Sequence, residues 1–162
     1  MFESLDEFTE DFMKERIQPP LEKVHAVQMK YLLDTGICIY IIKKKPAPVR
    51  DRFARENPGS IAVSSLSIAE LYYGAEKSSF PEWNMVAIQK FLQPLVPIGF
   101  NVDDTIHCGE ARAELEKKGS PIGAIDLHIA SQALSHDLTL VTNNTRELSR
   151  IKDLRVENWA IV

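Results

Sequence analysis

Tyr31-Leu32-Leu33-Asp34-Thr35-Gly36-Ile37-Cys38-Ile39-Tyr40 changes character at its fourth residue. Three apolar residues, suited to a buried strand, stop at the carboxylate of Asp34. The chain then runs Ile37-Cys38-Ile39-Tyr40-Ile41-Ile42, apolar throughout, and closes on Lys43-Lys44-Lys45-Pro46. A strand that delivers an acid to its carboxyl end and turns at once into a helix suits an open α/β sheet, whose ligands sit outside the strand carboxyl ends. Asp34 can equally be a plain N-cap of that helix. The two readings part on whether other acids reach the same edge.

Downstream, the spacing predicts strands alternating with helices. Helices are expected over 36–43 and 48–56, the second with Val49 and Phe53 inward and Arg50, Arg52 and Arg55 outward. A turn at Asn57-Pro58-Gly59 leads to a buried strand at 61–63. A helix over 64–77 follows, with Leu66, Ala69, Leu71, Tyr72 and Tyr73 as its apolar positions. Pro81 opens a helix to 93, and 95–98 reads as a short strand. Helices at 102–118 and 123–137, a strand at 138–141 and a last one near 155–156 complete the pattern. Such alternation implies an α/β fold, a central parallel sheet covered on both faces.

Upstream of Met29 the chain is different. Residues 1–28 hold three basic and seven acidic groups, whereas the remainder holds sixteen of each, so all of the net charge of −4 lies in the first segment. Phe2, Leu5, Phe8, Phe12 and Met13 fall at i, i+3, i+4 spacing, one apolar stripe on an otherwise acidic helix. Ser4-Leu5-Asp6-Glu7 fits a capping box at its start. Arg16-Ile17-Gln18-Pro19-Pro20 then breaks the helix. Two units are therefore expected: a helix and linker at 1–28, and a compact domain at 29–162.

The 162 residues suffice for one domain, and 44% hydrophobic content allows a sizeable core. No apolar run approaches the roughly 18 residues of a membrane span. The first residues are polar and acidic, unlike a signal peptide. Cys38 and Cys108 stand alone in apolar patterns without a CxxC pair, as buried thiols of a cytoplasmic protein do. A charge-balanced domain leaves nucleic-acid binding to local clusters; Lys43-Lys44-Lys45, Arg50, Arg52, Arg112 and Lys117-Lys118 are the candidates, each equally readable as a solvated surface. His107 lacks the companions of a zinc site, and His128 reads as packing or surface.

Three acids recur in equivalent places: Asp34 after the first strand, Glu70 in the helix after the second, and Asp126 near the start of the helix before 138–141. Each has an ordinary explanation. Ser67-x-x-Glu70 matches a capping box, and Asp126 can complement a helix N-terminus. Parallel topology, however, brings strand carboxyl ends to one edge. Carboxylates gathered there repel one another unless a cation neutralises them, and an all-oxygen donor set suits Mg²⁺, with Mn²⁺ the other fit, rather than zinc.

Four motifs in order carry a resemblance. Leu33-Asp34-Thr35, Ser64-Ser65-x-x-x-Ala69-Glu70-Leu71-x-x-Gly74-Ala75, Ile122-Gly123-x-x-Asp126-x-x-Ile129-Ala130 and Leu140-Val141-Thr142-Asn143-Asn144-Thr145-Arg146-Glu147 resemble those of PIN-domain ribonucleases, above all the VapC-type toxins of bacterial toxin–antitoxin pairs. The resemblance runs from about Met29 to Trp159. It implies a three-layer α/β/α fold, metal-dependent cleavage of RNA (initiator tRNA for such toxins), and Asp34, Glu70 and Asp126 as catalytic metal ligands. It also implies a homodimer and a VapB-type antitoxin partner. Two departures stand out: Gly36 replaces a usual Asn, and Asn144 occupies the position of a frequent fourth acid. Asn144 and Thr142 are thus supporting residues by resemblance; Thr142 and Asn143 also suit a plain turn. The segment from Phe8 to Pro19 is similar to the C-terminal tail of VapB-type antitoxins. That likeness implies an inhibitory tail in which Phe8, Phe12 and Met13 dock and Arg16 reaches the acids.

Two other readings bear weighing. A nuclease fold with its site plugged or weakened would act as a protein-interaction module; Gly36, Asn144 and the acidic tail favour this, and the three retained acids oppose it. Phosphohydrolase and receiver-type folds also place Asp after their first strand, but Asp34-Thr35-Gly36 lacks the second acid those sites use.

Overall fold

The structure is a computed structural model that describes residues 27–161. The segment expected to form the acidic helix, with Phe8, Phe12, Met13 and Arg16, lies outside the described residues.

Five strands make one parallel sheet in the order β3-β2-β1-β4-β5. They are β1 (Tyr31–Leu33), β2 (Ile61–Ser64), β3 (Val96–Ile98), β4 (Thr139–Val141) and β5 (Val156–Glu157). Leu32 of β1 pairs with Ala62 on one side and Leu140 on the other. The order grows outward from β1 as far as β3, then returns to add β4 on the other flank. The gap between β1 and β4 is therefore the point where strand order reverses, the usual ligand crevice of such sheets.

Seven helices follow in the described residues: α1 (Thr35–Lys43), α2 (Ala47–Arg55), α3 (Ser65–Glu76), α4 (Pro81–Leu92), α5 (Val102–Lys117), α6 (Ala124–Ser135) and the single turn α7 (Thr145–Leu148). The predicted elements agree with these to within two residues. The exceptions are α7, which the pattern missed, and the turn at Asn57, which is a 3-10 helix over Pro58–Ser60. Because side chains alternate across a strand, successive residues of β1 serve opposite faces. Leu33 joins Val63 and Val141 in a core with Ile37, Phe53, Leu71 and Phe91 from α1 to α4. Leu32 joins Ala62 and Leu140 in a second core with Leu115, Leu127, Ile129 and Leu148 from α5 to α7. Both faces of the sheet are covered, which gives the three-layer α/β/α arrangement expected.

Local chemistry explains the helix boundaries. Asn101 and Asp104 form a reciprocal capping box at the start of α5, with bonds of 3.2 and 2.8 Å. The box expected at Ser67 and Glu70 is absent. Ser64 caps α3 instead, its hydroxyl accepting from the Leu66 N–H, which places Ser67 and Glu70 inside the helix. Ser67 is buried, and its hydroxyl accepts a 3.0 Å bond from Thr35 Oγ1 that ties α3 to α1.

Some side chains depart from the expected faces. Tyr73 is 64% exposed and Ala69 is exposed, so only part of the apolar side of α3 enters the core. Arg52 does not stand free in solvent. Its guanidinium lies 5.9 Å from the Tyr31 ring centre and 5.4 Å from that of Trp159, and it donates to the Tyr31 hydroxyl. Cys38 is buried, as expected, and burial followed by the nearby Asp34 charge pushes its thiol far up. Cys108 is only half-buried. No described helix is long and apolar enough to cross a membrane.

Candidate active site

Asp34 leaves β1 at the reversal point, its N–H bonded to Val141 O of β4 at 2.9 Å. It is the N-cap of α1, and Oδ1 accepts a 2.7 Å bond from the Thr35 N–H. Oδ2 accepts a 2.8 Å bond from Thr142 Oγ1 just beyond β4. The capping reading and the site reading are thus both satisfied by one carboxylate, which is buried. Thr142 is wholly buried, and its hydroxyl also accepts from the Asn144 N–H at 3.0 Å. One hydroxyl therefore holds Asp34 and closes the turn after β4.

Thr142→Val keeps the shape and removes both bonds. We expect a loss of about 1–3 kcal/mol in stability and a roughly 10–100-fold drop in activity, with Thr142→Ser restoring most of each. Denaturant midpoints and initial rates check this. Unchanged values in the valine variant would remove Thr142 from any supporting role.

A cleft of about 470 Å³ opens over this edge, lined by Asp34, Thr35, Gly36, Glu70, Asp126, Asn143 and Asn144 among others. The three acids foreseen from the sequence therefore line one cavity. Their charges act on one another. Asp126, in the first turn of α6, has its pKa raised, first by burial and then by Asp34, Glu147 and Glu70. Glu147 on α7 is the residue that sequence reasoning missed. Asn144, read as the stand-in for a fourth acid, donates from Nδ2 to Glu147 Oε2 at 3.0 Å and so holds that acid beside the cleft. A fourth carboxylate thus stands near the other three, close enough to act on Asp126.

Asn143 also lines the cleft, and its Nδ2 donates to the Tyr40 hydroxyl at 3.0 Å. A Cβ at Gly36 would meet Asn143 Oδ1 at 3.4 Å, so the absence of a side chain there leaves that amide uncrowded. In the turn that carries Gly36, Cys38 N–H reaches Asp34 O at 3.1 Å. His128 packs edge-on against Phe100 with ring centres 4.9 Å apart.

Among the described residues no three His, Cys, Asp or Glu side chains already converge at metal-binding distance. Asp34, Glu147 and Glu70 nonetheless lie near enough to raise the Asp126 carboxyl. Asp34, Glu70 and Asp126 are the residues that would hold a cation at this cleft. The raised Asp126 is the group that a cation would relieve.

A family model described as the PIN domain matches residues 31–154. The ribonuclease VapC2 of Haemophilus influenzae is 48% identical over 131 residues, covering 81% of this chain and 98% of that protein. The tRNA(fMet)-specific endonuclease VapC of Shigella flexneri is 46% identical over 132 residues, covering 82% and 99%. Among solved structures, the DNA-bound VapBC of Salmonella typhimurium superposes with a TM-score of 0.77 at 43% identity, over 82% of this chain and 99% of that one. This chain belongs to the PIN-domain family, and within it to the VapC ribonucleases.

Proposed function

We propose that the chain is an Mg²⁺-dependent endoribonuclease, the toxin of a type II toxin–antitoxin pair, and that it cleaves tRNA. The observation that carries the reading is the gathering of Asp34, Glu70 and Asp126 along one cleft at the strand-reversal point, with Glu147 near enough to help raise the Asp126 carboxyl. The relatives named as ribonucleases and as a tRNA(fMet)-specific endonuclease supply the substrate class. The VapBC complexes among its structural relatives point to a VapB-type antitoxin as partner. A homodimer and a cytoplasmic location complete the reading.

All four acids offer hard oxygen donors, and their mutual repulsion is what a divalent cation neutralises. Bound there, Mg²⁺ or Mn²⁺ would polarise a phosphoryl oxygen and lower the pKa of the attacking water. Asp34 is the fixed member, pinned by Thr35 and Thr142. Asp126, raised by burial and then by the neighbouring acids, holds a proton more readily than an ordinary aspartate. Glu147 is steered by Asn144. Asn143, held by Tyr40, leaves its carbonyl oxygen to orient a ribose hydroxyl or water at the cleft mouth.

The N-terminal segment bears on regulation. In this reading Phe8, Phe12 and Met13 dock on the domain, and Arg16 pairs with the acids in competition with the metal. A tethered inhibitor acts at high effective concentration, so modest contacts suffice. The test is digestion of a total tRNA pool with Mg²⁺ or EDTA, by the full chain and by a shortened chain beginning at Met29. Cleavage lost in EDTA, and faster by about tenfold or more in the shortened chain or in Arg16→Ala, is the expected result. No cleavage by either chain overturns the ribonuclease reading. Equal rates in all three overturn the inhibitory tail alone.

A further inference from the structure

A second cavity, of about 280 Å³, adjoins the acidic cleft. Ala124 lines both, and the wall between them is the turn at Gly123-Ala124, which carries nothing larger than a methyl group. Asp126 faces the cleft from the first turn of α6, while Leu127 and His128 line the cavity behind it. Anything seated in the cavity therefore sits directly beside a group bound at the acids.

Its lining is mixed. Leu115 and Leu127 are 2% and 5% exposed and make an apolar floor. Arg112 and Glu116 stand at the rim, joined by a 2.9 Å bond, with both side chains largely in solvent. As a solvent-exposed ion pair they are only weakly tied to each other, which leaves them free to exchange partners. Side by side they offer a guanidinium donor and a carboxylate acceptor over an apolar slot. Single-stranded RNA is read this way, by bases splayed from the stack, laid on apolar or planar side chains and hydrogen-bonded along their edges. Guanine suits the pair well, since it presents an acceptor for arginine and N–H donors for a carboxylate.

We propose that this cavity receives an unpaired nucleobase next to the scissile phosphate, and that Arg112 and Glu116 read its edge. The proposal rests on the ribonuclease reading and adds a sequence-selecting subsite to it. Arg112 and Glu116 are specificity residues; neither lines the acidic cleft.

Two measurements on the full chain test it. In the first, Arg112→Ala and Glu116→Gln are compared with the unaltered protein on RNA substrates varied at one nucleotide at a time around the cut. KM at the preferred site should rise about tenfold, as loss of one good base contact implies. The rate at saturation should change little, and the base preference beside the cut should flatten. In the second, Cys108 reports on occupancy. It lines the cavity and is half-buried, whereas Cys38 is fully buried and its thiol is pushed far up. An oligonucleotide with a non-hydrolysable phosphonate linkage at the cut should slow alkylation of Cys108 several-fold, and less so in Arg112→Ala. Unchanged KM and cutting pattern in both variants, or no protection of Cys108, overturns the subsite while leaving the ribonuclease reading intact. No RNA cleavage by the full chain or by the shortened chain beginning at Met29 overturns both.

Discussion

Asp126→Asn is expected to reduce cleavage by at least about a hundredfold, because substitutions that merely support a metal ligand already cost 10–100-fold. The same change should leave the fold slightly more stable at neutral pH. Asp126 is pushed up by burial and by Asp34, Glu147 and Glu70. A carboxyl whose folded pKa is raised binds protons more readily when folded than when unfolded, so its ionisation opposes folding. The penalty is absent below the ordinary carboxylate range, grows as pH rises toward the folded value and levels off above it. Asparagine removes it, so the gain should appear at pH 7 and vanish near pH 3. Solvent screening at this half-buried position holds it below about 1 kcal/mol. Full turnover in the variant would remove Asp126 from the site. A variant less stable than the parent at pH 7 would contradict the electrostatic account.

Phe53→Ala should have the largest effect on folding. Phe53 is wholly buried in the core between the sheet and α1–α4, with its ring centre 6.0 Å from that of Phe91. Deleting a buried aromatic ring costs about 3–5 kcal/mol, out of a typical total of about 5–15 kcal/mol for a domain. Activity should fall with the folded fraction, since α1 packs in the same core and begins at Asp34. A midpoint shift equivalent to less than about 1 kcal/mol would mean the core there is not packed as described. Phe53→Leu, which keeps much of the volume, should recover most of the loss.

Much of this was legible in the chain because β1, β2 and β4 are short apolar runs that end on polar residues. That pattern marks buried parallel strands, and it placed Asp34 at the carboxyl edge of the sheet, whereas Thr142 was marked only by the resemblance. What was illegible has physical causes. The helix α7 is one turn long, too short for a 3.6-residue apolar period to show. Weight therefore fell on Asn144, in the turn after the strand, and Glu147 was given no role. An acid three residues after a polar turn residue, as with Asp126 after Gly123, was the available signal. The pattern Ser67-x-x-Glu70 misled because Ser64, Ser65 and Ser67 all resemble caps. The choice of Ser64 depends on where β2 ends, a fact of strand pairing rather than of local sequence. The burial of Ser67 depends on Thr35, 32 residues away.

Calorimetric titration with Mn²⁺ is the most direct test of the central claim, that four carboxylates at the β1–β4 edge form one cation site. It needs no substrate and no assumption about the RNA. The protein should bind the ion, and the affinity should fall about tenfold or more in each of Asp34→Asn, Asp126→Asn and Glu147→Gln, with Glu70→Gln at least as weak as Glu147→Gln. Binding of equal strength in the parent and all four variants would contradict the account.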